Sequence, residues 1–375
     1  MQRISLFPYK ESKQYLSLFE KIIKNQGLNK DEFLLSQGIS PTSFRRARSS
    51  EQKVGLEIIE KLSKIYDYKI PTSTDVEKAE ALFNQIYNEV YFKIYDNFEL
   101  FKEKLEEELN KKSLLYPLIN LFKIFLSLNE NKQRNDILKN NRDLFYELKK
   151  YETFFTEDIM KVYDVVKIQF VNDIPEEYLQ NEYTNALINY SLASKSNLKK
   201  DYISSLYFAD KTRKICLEEN NYLRLFHLNL IFMHNYNSLG NYEKCYELAS
   251  NQLLSLKSLQ VTNFVFSTTE LHLVTACLGL KYYKEVIEIL SSKEVYQSTE
   301  IYALLIAKFM VNQNEYQELY TKTIQNNQNR EEDLYIIQTL NTFLHKNDKN
   351  SLMKLEKTKM RESLLKILKR NFFKA

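Results

Sequence analysis

Apolar residues recur at steps of three and four along most of the chain, which is the spacing that predicts amphipathic α-helices. The first predicted helix begins at Ser12, a residue suited to capping, and ends at Gly27. The second covers residues 28–37 and ends at Gly38, which can adopt the left-handed conformation that closes a helix. Ser40 and Pro41 then suit the N-cap and first position of a third helix. Two short helices separated by a glycine-containing turn predict a helix-turn-helix domain.

The third predicted helix, 42–48, has one apolar and one basic face. Phe44 and Ala47, with Ile39, are expected to pack against the first two helices. In a helix-turn-helix domain the opposite face enters the major groove of DNA, where arginine binds guanine bidentately and Ser or Thr reach bases or phosphates. The candidate DNA contacts, including flanking phosphate ligands, are Asn29, Lys30, Ser40, Thr42, Ser43, Arg45, Arg46, Arg48 and Lys53.

A fourth apolar pattern closes the small core of this segment; its residues are Val54, Ile58, Ile59, Leu62 and Ile65. The alternative interpretation of the segment is a helical cap whose arginines are only solvated. Proline at 71 ends the pattern, and Thr74 with Glu77 predicts a capping box at the start of the next helix. The domain boundary is therefore placed at 72/73, and residues 73–172 are expected to form degenerate helical repeats.

The C-terminal half contains a periodic pattern in which a tyrosine follows a polar turn. Tyr202, Tyr242, Tyr283 and Tyr316 are separated by 40, 41 and 33 residues, and each precedes a small or aliphatic residue by three positions. We expect each tyrosine to pack between the two helices of its unit, and neighbouring units to stack because one helix pair cannot bury its apolar face alone. Residues 173–345 are thus predicted to form a solenoid with a concave groove, and 346–375 a C-terminal capping helix.

The first helix of each repeat faces the groove, and Asn or His side chains there can pair with the donors and acceptors of an extended peptide. The candidate peptide contacts are Asn185, Asn189, His227, Asn229, Ile231, His234, Asn237, Thr275, Lys308 and Asn312. The alternative is that these residues are partly buried polar groups between helices. Because His227 and His234 lie two helical turns apart, about 10 Å, with no third ligand evident, no metal site is predicted.

Composition supports a helical protein and separates the two halves by charge. The chain has only 5 Gly and 5 Pro, too few for a fold rich in β-turns or phosphate-binding loops. The net charge of +4 is concentrated in residues 1–72, which hold 13 Lys and Arg against 8 Asp and Glu. Such a basic segment favours attraction to nucleic acid.

Other function classes find little support in the sequence. Cys216, Cys245 and Cys277 are widely spaced and are expected to be buried thiols. Neither a secretion signal nor an apolar run long enough to cross a membrane is evident. Catalytic and nucleotide-binding motifs are not evident either, so we expect neither enzymatic activity nor a cofactor.

Two segments resemble known families. The frame from Leu28 to Ser40, within 10–70, resembles the lambda-repressor-like helix-turn-helix family, although Asn29, Lys30 and Gln37 depart from its usual pattern. Residues 239–249 resemble the turn and second helix of a tetratricopeptide repeat. Together they predict an all-α protein with an N-terminal helix-turn-helix domain and a right-handed, tetratricopeptide-like α-solenoid.

This combination resembles the RRNPP regulators, the peptide-pheromone receptors of Gram-positive bacteria and their phages. The resemblance implies a cytoplasmic homodimeric transcription regulator that binds operator DNA and a short reimported peptide, whose binding alters operator occupancy. One alternative is a tetratricopeptide adaptor that binds a protein partner without sequence-specific DNA recognition. Another is a phosphatase-type or response-regulator-binding relative without DNA function.

Overall fold

The computed structural model describes residues 3–49, 52–93, 96–129, 134–180, 185–258, 263–291, 293, 296–325 and 330–372. Throughout these ranges the secondary structure is helical, with two short 3-10 helices at Phe7–Lys10 and Glu152–Phe154 and no strand. An isolated parallel bridge joins Lys69 to Ser113. The predicted all-α class is therefore confirmed.

The α-helices are numbered in chain order. The first eleven are α1 (Ser12–Asn25), α2 (Lys30–Ser36), α3 (Pro41–Ser49), α4 (Gln52–Tyr66), α5 (Ser73–Phe92), α6 (Phe98–Asn110), α7 (Tyr116–Ser127), α8 (Arg134–Asn140), α9 (Arg142–Lys149), α10 (Glu157–Phe170) and α11 (Glu176–Gln180). The others are α12 (Ala186–Leu198), α13 (Tyr202–Glu218), α14 (Tyr222–Leu239), α15 (Tyr242–Ser258), α16 (Asn263–Leu280), α17 (Tyr283–Ser291), α18 (Ser298–Val311), α19 (Gln313–Gln325), α20 (Glu331–Lys346), α21 (Lys349–Glu356) and α22 (Glu362–Phe372).

The chain divides into two compact units. The first comprises Met1–Lys195 and Lys211–Arg224, and the second comprises Ser196–Asp210 and Leu225–Ala375. The divisions fall within α12, α13 and α14, so they differ from the boundaries expected at 72/73, 172/173 and 345/346.

The first four helices of the first unit pack around a small apolar core. Leu16 and Phe19 of α1, Leu34 of α2, Phe44 of α3 and Leu62 of α4 are all buried. The turns have the backbone conformation expected from their glycines: φ is 73° at residue 27 and 68° at residue 38, a region that L-residues with a side chain rarely adopt. The second turn joins the end of α2 to the start of α3.

The cap that opens α5 lies two residues before the predicted one. Thr72 is the N-cap: its hydroxyl accepts a hydrogen bond from the backbone N–H of Asp75 at 3.1 Å, and the Asp75 carboxylate accepts one from the backbone N–H of Thr72 at 2.9 Å. The expected box from Thr74 to Glu77 is wrong because the aspartate at the third helical position can close the box as a glutamate would. Thr74 lies inside the first turn of the helix.

Hydrogen bonds join the N-terminal segment that precedes α1 to helices that follow α4 in the first unit. The backbone N–H of Ile4 donates to Asn84 Oδ1 at 2.9 Å, and that of Leu6 donates to a carboxylate oxygen of Glu80 at 2.7 Å. Buried Tyr9 donates its hydroxyl hydrogen to the carbonyl of Phe154 at 2.9 Å. The N-terminal segment is therefore joined to the part of the first unit after α4 by these hydrogen bonds as well as by the chain connection at 70–73.

The second unit consists of helical hairpins whose turns repeat one backbone feature. Lys200, Gly240 and Lys281 all have positive φ, at 62°, 77° and 65°, and each lies two residues before a tyrosine that begins the next helix. The fourth predicted tyrosine, Tyr316, is instead the fourth residue of its helix and follows an extended residue, Asn312. Three of the four predicted repeats thus share a turn, and the last has a different one.

The C-terminal segment of the second unit forms α21 and α22 where a single capping helix was expected. Its apolar residues are buried in the core of the unit. These residues are Leu352, Leu355, Leu364, Leu365, Ile367 and Leu368. The segment therefore contributes to the core and to the cavity described below.

Candidate nucleic-acid interface and ligand cavity

The α3 helix presents opposite apolar and basic faces. Phe44 and Ala47 are buried against α1 and α4. Thr42 and the arginines are exposed, as expected for residues on the far side of a helix with 3.6 residues per turn. The side chains of Arg45, Arg46 and Arg48 are all accessible to solvent.

Two of these arginines form ion pairs at the edge of the surface. Arg45 contacts the carboxylate of Asp31 at 2.5 Å, and Arg48 contacts that of Glu20. Glu20 also accepts a hydrogen bond from Lys30 at 2.8 Å. Burial acts to raise the pKa of Glu20, but this hydrogen bond and the neighbouring positive charges lower it overall. The carboxylates hold the basic side chains in place across the α1, α2 and α3 helices.

The guanidinium of Arg46 forms no ion pair with any residue that the structure describes. Arg46 lies between Arg45 and Arg48 in sequence and is exposed. The Ser49 hydroxyl donates to the backbone carbonyl of Arg46 at 3.0 Å, so this hydrogen bond does not involve the guanidinium. The guanidinium is thus available to an external acceptor.

The other predicted DNA contacts have mixed positions. Asn29 is exposed but caps α2, where its side-chain oxygen accepts from the backbone N–H groups of Asp31 and Glu32 at 3.1 and 3.3 Å. Exposed Ser40 similarly caps α3, with the backbone N–H of Ser43 at 3.5 Å from its hydroxyl oxygen. The Lys53 side chain lies outside the described residues.

A cavity of about 290 Å³ lies within the second unit. Its walls come from the end of α12 and the turn after it, the last turns of α14, the middle of α16 and the first residues of α22. Two of the predicted peptide contacts, His234 and Asn237, line this cavity. Polar residues that complete the wall include Asn197, Lys200, Tyr202, His272 and Arg361.

Both histidines of the cavity are held in the neutral form. Burial lowers the pKa of His234, and the positive charge of Arg361 lowers it further, against the smaller opposing effect of Glu362. Burial also lowers the pKa of His272 to about 3, with smaller contributions from Arg361 and His234. The two rings are 6.1 Å apart and nearly perpendicular. At neutral pH the rings therefore supply hydrogen-bonding groups without charge.

The Asn197 amide determines the tautomer of His234. Its Nδ2 donates to Asn235 Oδ1 at 2.6 Å and lies 2.9 Å from His234 Nδ1. Because Nδ2 can only donate, Nδ1 of the ring must accept, and the ring proton resides on Nε2. His234 is therefore an Nε2–H donor.

Positive charge exceeds negative charge around the cavity. Glu362 accepts from Lys200 at 2.6 Å and lies 3.2 Å from Lys366, and this pairing lowers its pKa. Arg361, half-buried at the start of α22, has no carboxylate within ion-pair distance in the described part of the chain. Burial lowers the pKa of its guanidinium, but arginine stays charged at physiological pH.

The remaining predicted peptide contacts lie away from the cavity lining. Asn185 and Asn189 belong to the first unit and are buried; Asn185 caps α12 and donates to the Tyr87 hydroxyl at 3.2 Å.

In the second unit, Asn229 donates to Gln252 Oε1 at 2.8 Å, and buried Thr275 donates to a backbone carbonyl of its own helix. Half-buried His227 stacks on Phe264, with ring centroids 6.4 Å apart, and Ile231 is also half-buried. Lys308 pairs with Glu315 at 2.8 Å, and Asn312 caps α19.

The cavity residues His272, Asn197 and Arg361 are not among the site residues predicted from the sequence. Counting eleven positions back from Tyr283 reaches His272, as the same count from Tyr242 reaches Ile231, so the repeat spacing contained a signal for His272. No comparable signal exists for Arg361, because α22 lies outside the periodic pattern. Its place in the cavity depends on tertiary packing.

No protein-family model, curated protein or solved structure matches the chain. Among the helices of the described ranges, none combines the length and apolarity required to cross a bilayer.

Proposed function

We propose that this protein is a transcription regulator that binds double-stranded operator DNA through α3. The supporting observation is the exposed basic face of α3, in a helix-turn-helix pair whose opposite face is buried through Phe44 and Ala47. A helix presented in this way fits the major groove. Arg46 is the residue that we expect to make the strongest contact, because no carboxylate of the described residues is paired with it.

The ion pairs of Arg45 and Arg48 are compatible with this function. Both arginine side chains are at least half accessible, at 63% and 50%, and exposed ion pairs contribute little stability in water. DNA phosphates can therefore replace Asp31 and Glu20 as partners at small cost. In the free protein these carboxylates hold the guanidinium group of Arg45 beside α2 and that of Arg48 beside α1.

We further propose that a short peptide binds in the second unit of a cytoplasmic homodimer and alters operator occupancy. The resemblance to peptide-pheromone receptors suggests this regulation. The position of His234 in this cavity supports it, because the ring can donate a hydrogen bond from Nε2 to a peptide carbonyl.

The DNA-binding half is tested by selection from a pool of duplexes with 30 random base pairs, using the full-length chain. We expect a consensus sequence to emerge. Arg46→Ala should weaken binding to the selected duplex by 10- to 100-fold, which corresponds to the loss of a good base contact. If Arg46 contacts a phosphate instead, the slope of log affinity against log salt should decrease by about 0.9.

The matched control is Lys64→Ala, which removes an exposed positive charge from α4, outside the α3 face. This variant should bind the selected duplex with nearly the affinity of the unmodified chain. Undiminished affinity after combined replacement of Arg45, Arg46 and Arg48 by Ala, or a selection without consensus, would refute DNA recognition by α3. Either result would favour the adaptor alternative, in which this domain contacts a protein.

A further inference from the structure

The N-terminal segment, residues 3–10, packs on the first unit with alternate side chains buried. Residues 3–6 have no helical structure, and residues 7–10 form the first 3-10 helix. Ile4 and Leu6 are only 3% and 0% exposed, whereas Arg3 and Phe7 on either side of them are exposed. Such alternation is typical of an extended chain, in which successive side chains point to opposite sides. The segment therefore directs one apolar side at the helices beneath it.

Three side chains of α5 contact this segment in reverse order along the chain. The pairs are Glu77 with Lys10, Glu80 with Leu6, and Asn84 with Ile4. Positions three and four residues apart lie on one face of a helix, so a single face of α5 supplies all three contacts. The segment thus runs antiparallel to α5 along this face.

Side chains of the helices accept three consecutive backbone N–H groups of the segment. Asn84 pairs with both backbone groups of Ile4: its Oδ1 accepts from the N–H at 2.9 Å, and its Nδ2 donates to the carbonyl at 2.8 Å. The next two N–H groups donate to the carboxylates of Asp158 in α10 and Glu80 in α5, at 3.2 and 2.7 Å. Contacts of this kind recognise the main chain of an extended peptide whatever its side chains are.

Tyr9 adds a contact that depends on the identity of the side chain. Its ring is fully buried and meets the ring of Phe154 edge-on, with the centroids 5.1 Å apart. The hydroxyl donates to the backbone carbonyl of Phe154 at 2.9 Å and accepts from the backbone N–H of Thr156 at 3.1 Å. A phenylalanine would leave both backbone groups without this partner, so the pocket discriminates in favour of tyrosine.

We propose that the groove formed by α5, the start of α10 and the 3-10 helix before it is a binding site for a free peptide, and that residues 3–10 occupy it as an intramolecular ligand. The peptide has two apolar residues separated by one position and a tyrosine three positions after the second. This site goes beyond the proposed function, because it requires neither DNA binding by α3 nor a ligand in the second unit. A tethered segment competes at an effective concentration on the order of millimolar, so the free peptide enters when the segment leaves.

The first test uses the full-length chain with its own segment prevented from docking. Ile4→Asp combined with Leu6→Asp places charges at two buried positions and should empty the groove. The probe is a peptide with the sequence of residues 3–10 that carries fluorescein at its N-terminus, and binding is measured by fluorescence anisotropy. We expect the double variant to bind this peptide about tenfold or more tightly than the unmodified chain, in which the groove is filled.

Two further changes and one control assign the contacts. Asn84→Leu, added to the double variant, should weaken peptide binding by about tenfold, because two hydrogen bonds to the peptide backbone are lost. A probe with Tyr9→Phe should bind about tenfold more weakly or worse, since buried backbone groups then lack a partner. Gln85→Leu, which removes an exposed amide from the next position of α5, should leave binding unchanged.

Hydrogen exchange of the unmodified chain tests the same groove without disturbing its buried positions. The backbone N–H groups of residues 4–6 should be protected, as observed by mass spectrometry of the N-terminal peptic fragment. Their exchange should accelerate as unlabelled peptide is added, because the peptide captures the groove whenever the segment is released. If the double variant loses its helical circular dichroism, this experiment decides alone.

The proposal is overturned if the folded double variant does not bind the peptide, or if the peptide leaves the exchange of residues 4–6 unchanged. Equal binding after Asn84→Leu, or equal binding of the Tyr9→Phe probe, would reject the assigned groove. A dimer of the unmodified chain in sedimentation that dissociates on addition of the peptide would assign the groove to the segment of a second copy and reject a free peptide as the partner.

Discussion

Gly279 packs against Tyr242. This contact predicts that Gly279→Ala destabilises the protein when the tyrosine ring is present and stabilises it when the ring has been removed. Gly279 lies in α16, and a Cβ atom placed on it would be 2.4 Å from Cγ of Tyr242 and 2.5 and 2.6 Å from the two Cδ atoms. Such distances are far inside van der Waals contact. Tyr242 is only 2% exposed, and Cγ is the ring atom nearest the backbone, so a small rotation cannot relieve the overlap.

Two opposing terms determine the stability of Gly279→Ala. Overpacking of a filled core costs about 1–3 kcal/mol. Replacing glycine by alanine within a helix gains about 1 kcal/mol from helix propensity, and this position has no positive φ to add strain. Because a Cβ would overlap three ring atoms, we expect a cost of about 2–3 kcal/mol, in the upper part of that range, and so a net destabilisation of about 1–2 kcal/mol.

Removing the ring should reverse the effect. In a Tyr242→Ala background the overlap is absent and only the propensity gain remains, so adding Gly279→Ala should stabilise the protein by up to about 1 kcal/mol. The measurement is urea unfolding of the four proteins of this cycle, followed by far-ultraviolet circular dichroism. Tyr242→Ala alone should cost about 3–5 kcal/mol, as for other large buried aromatic residues, so low denaturant must be well sampled.

A control glycine separates overlap from backbone strain. Gly38 in the first unit has φ of 68° and open space around a would-be Cβ, so Gly38→Ala should cost a similar amount whether or not Tyr242 is present. The reasoning about Gly279 fails if its alanine variant is as stable as the parent protein, or if the penalty persists after the ring is removed.

Two further predictions concern buried ionisable side chains in the second unit. His272, with a pKa of about 3 in the folded protein and about 6.5 in the unfolded chain, makes the unfolded state bind more protons as pH falls below 6.5. The stability of the parent protein relative to His272→Gln should therefore decrease by about 2–3 kcal/mol between pH 6.5 and 4.5, and parallel pH profiles in urea unfolding would contradict this. Lys293 pairs with Glu300, which is 2% exposed, at 2.5 Å. Lys293→Met should cost about 3–5 kcal/mol by leaving that carboxylate buried without a cation, whereas Lys359→Met, which removes an exposed pair, should cost at most about 1 kcal/mol; equal losses in thermal unfolding would contradict the difference.

The local signals in the sequence were sufficient for most of the N-terminal elements. Gly27 and Gly38 marked both turns because few other residues adopt positive φ, and Pro41 marked the first residue of α3. The cap of α5 was misplaced because Thr72 and Thr74 both have an acidic residue three positions on. The sequence rule could not choose between two overlapping boxes, whereas the complete structure selects the one that starts the helix earlier.

Only some of the residues that line the candidate cavity could be predicted from such sequence rules. Periodicity identified His234 and Asn237 because both lie at a fixed distance before Tyr242. Asn185 and Thr275 satisfied the same counting, yet their side chains are buried in internal hydrogen bonds. Helical periodicity specifies which face a residue occupies, but the packing of neighbouring helices decides whether that face is open or covered.

The contribution of α22 connects the ligand cavity to the stability of the C-terminal segment. The helix is fastened by Lys366, which donates to the Ser238 carbonyl at 2.8 Å, and by the pair between Glu362 and Lys200. Glu362 and Ser363 line the cavity from this helix, and Arg361 lines it from the residue before, whereas His234 lines it from α14. A ligand that contacted both of these parts of the lining would bind only while α22 is docked, and it would stabilise docking by its own differential binding energy. Occupancy of the cavity by such a ligand would therefore be thermodynamically coupled to the position of α22.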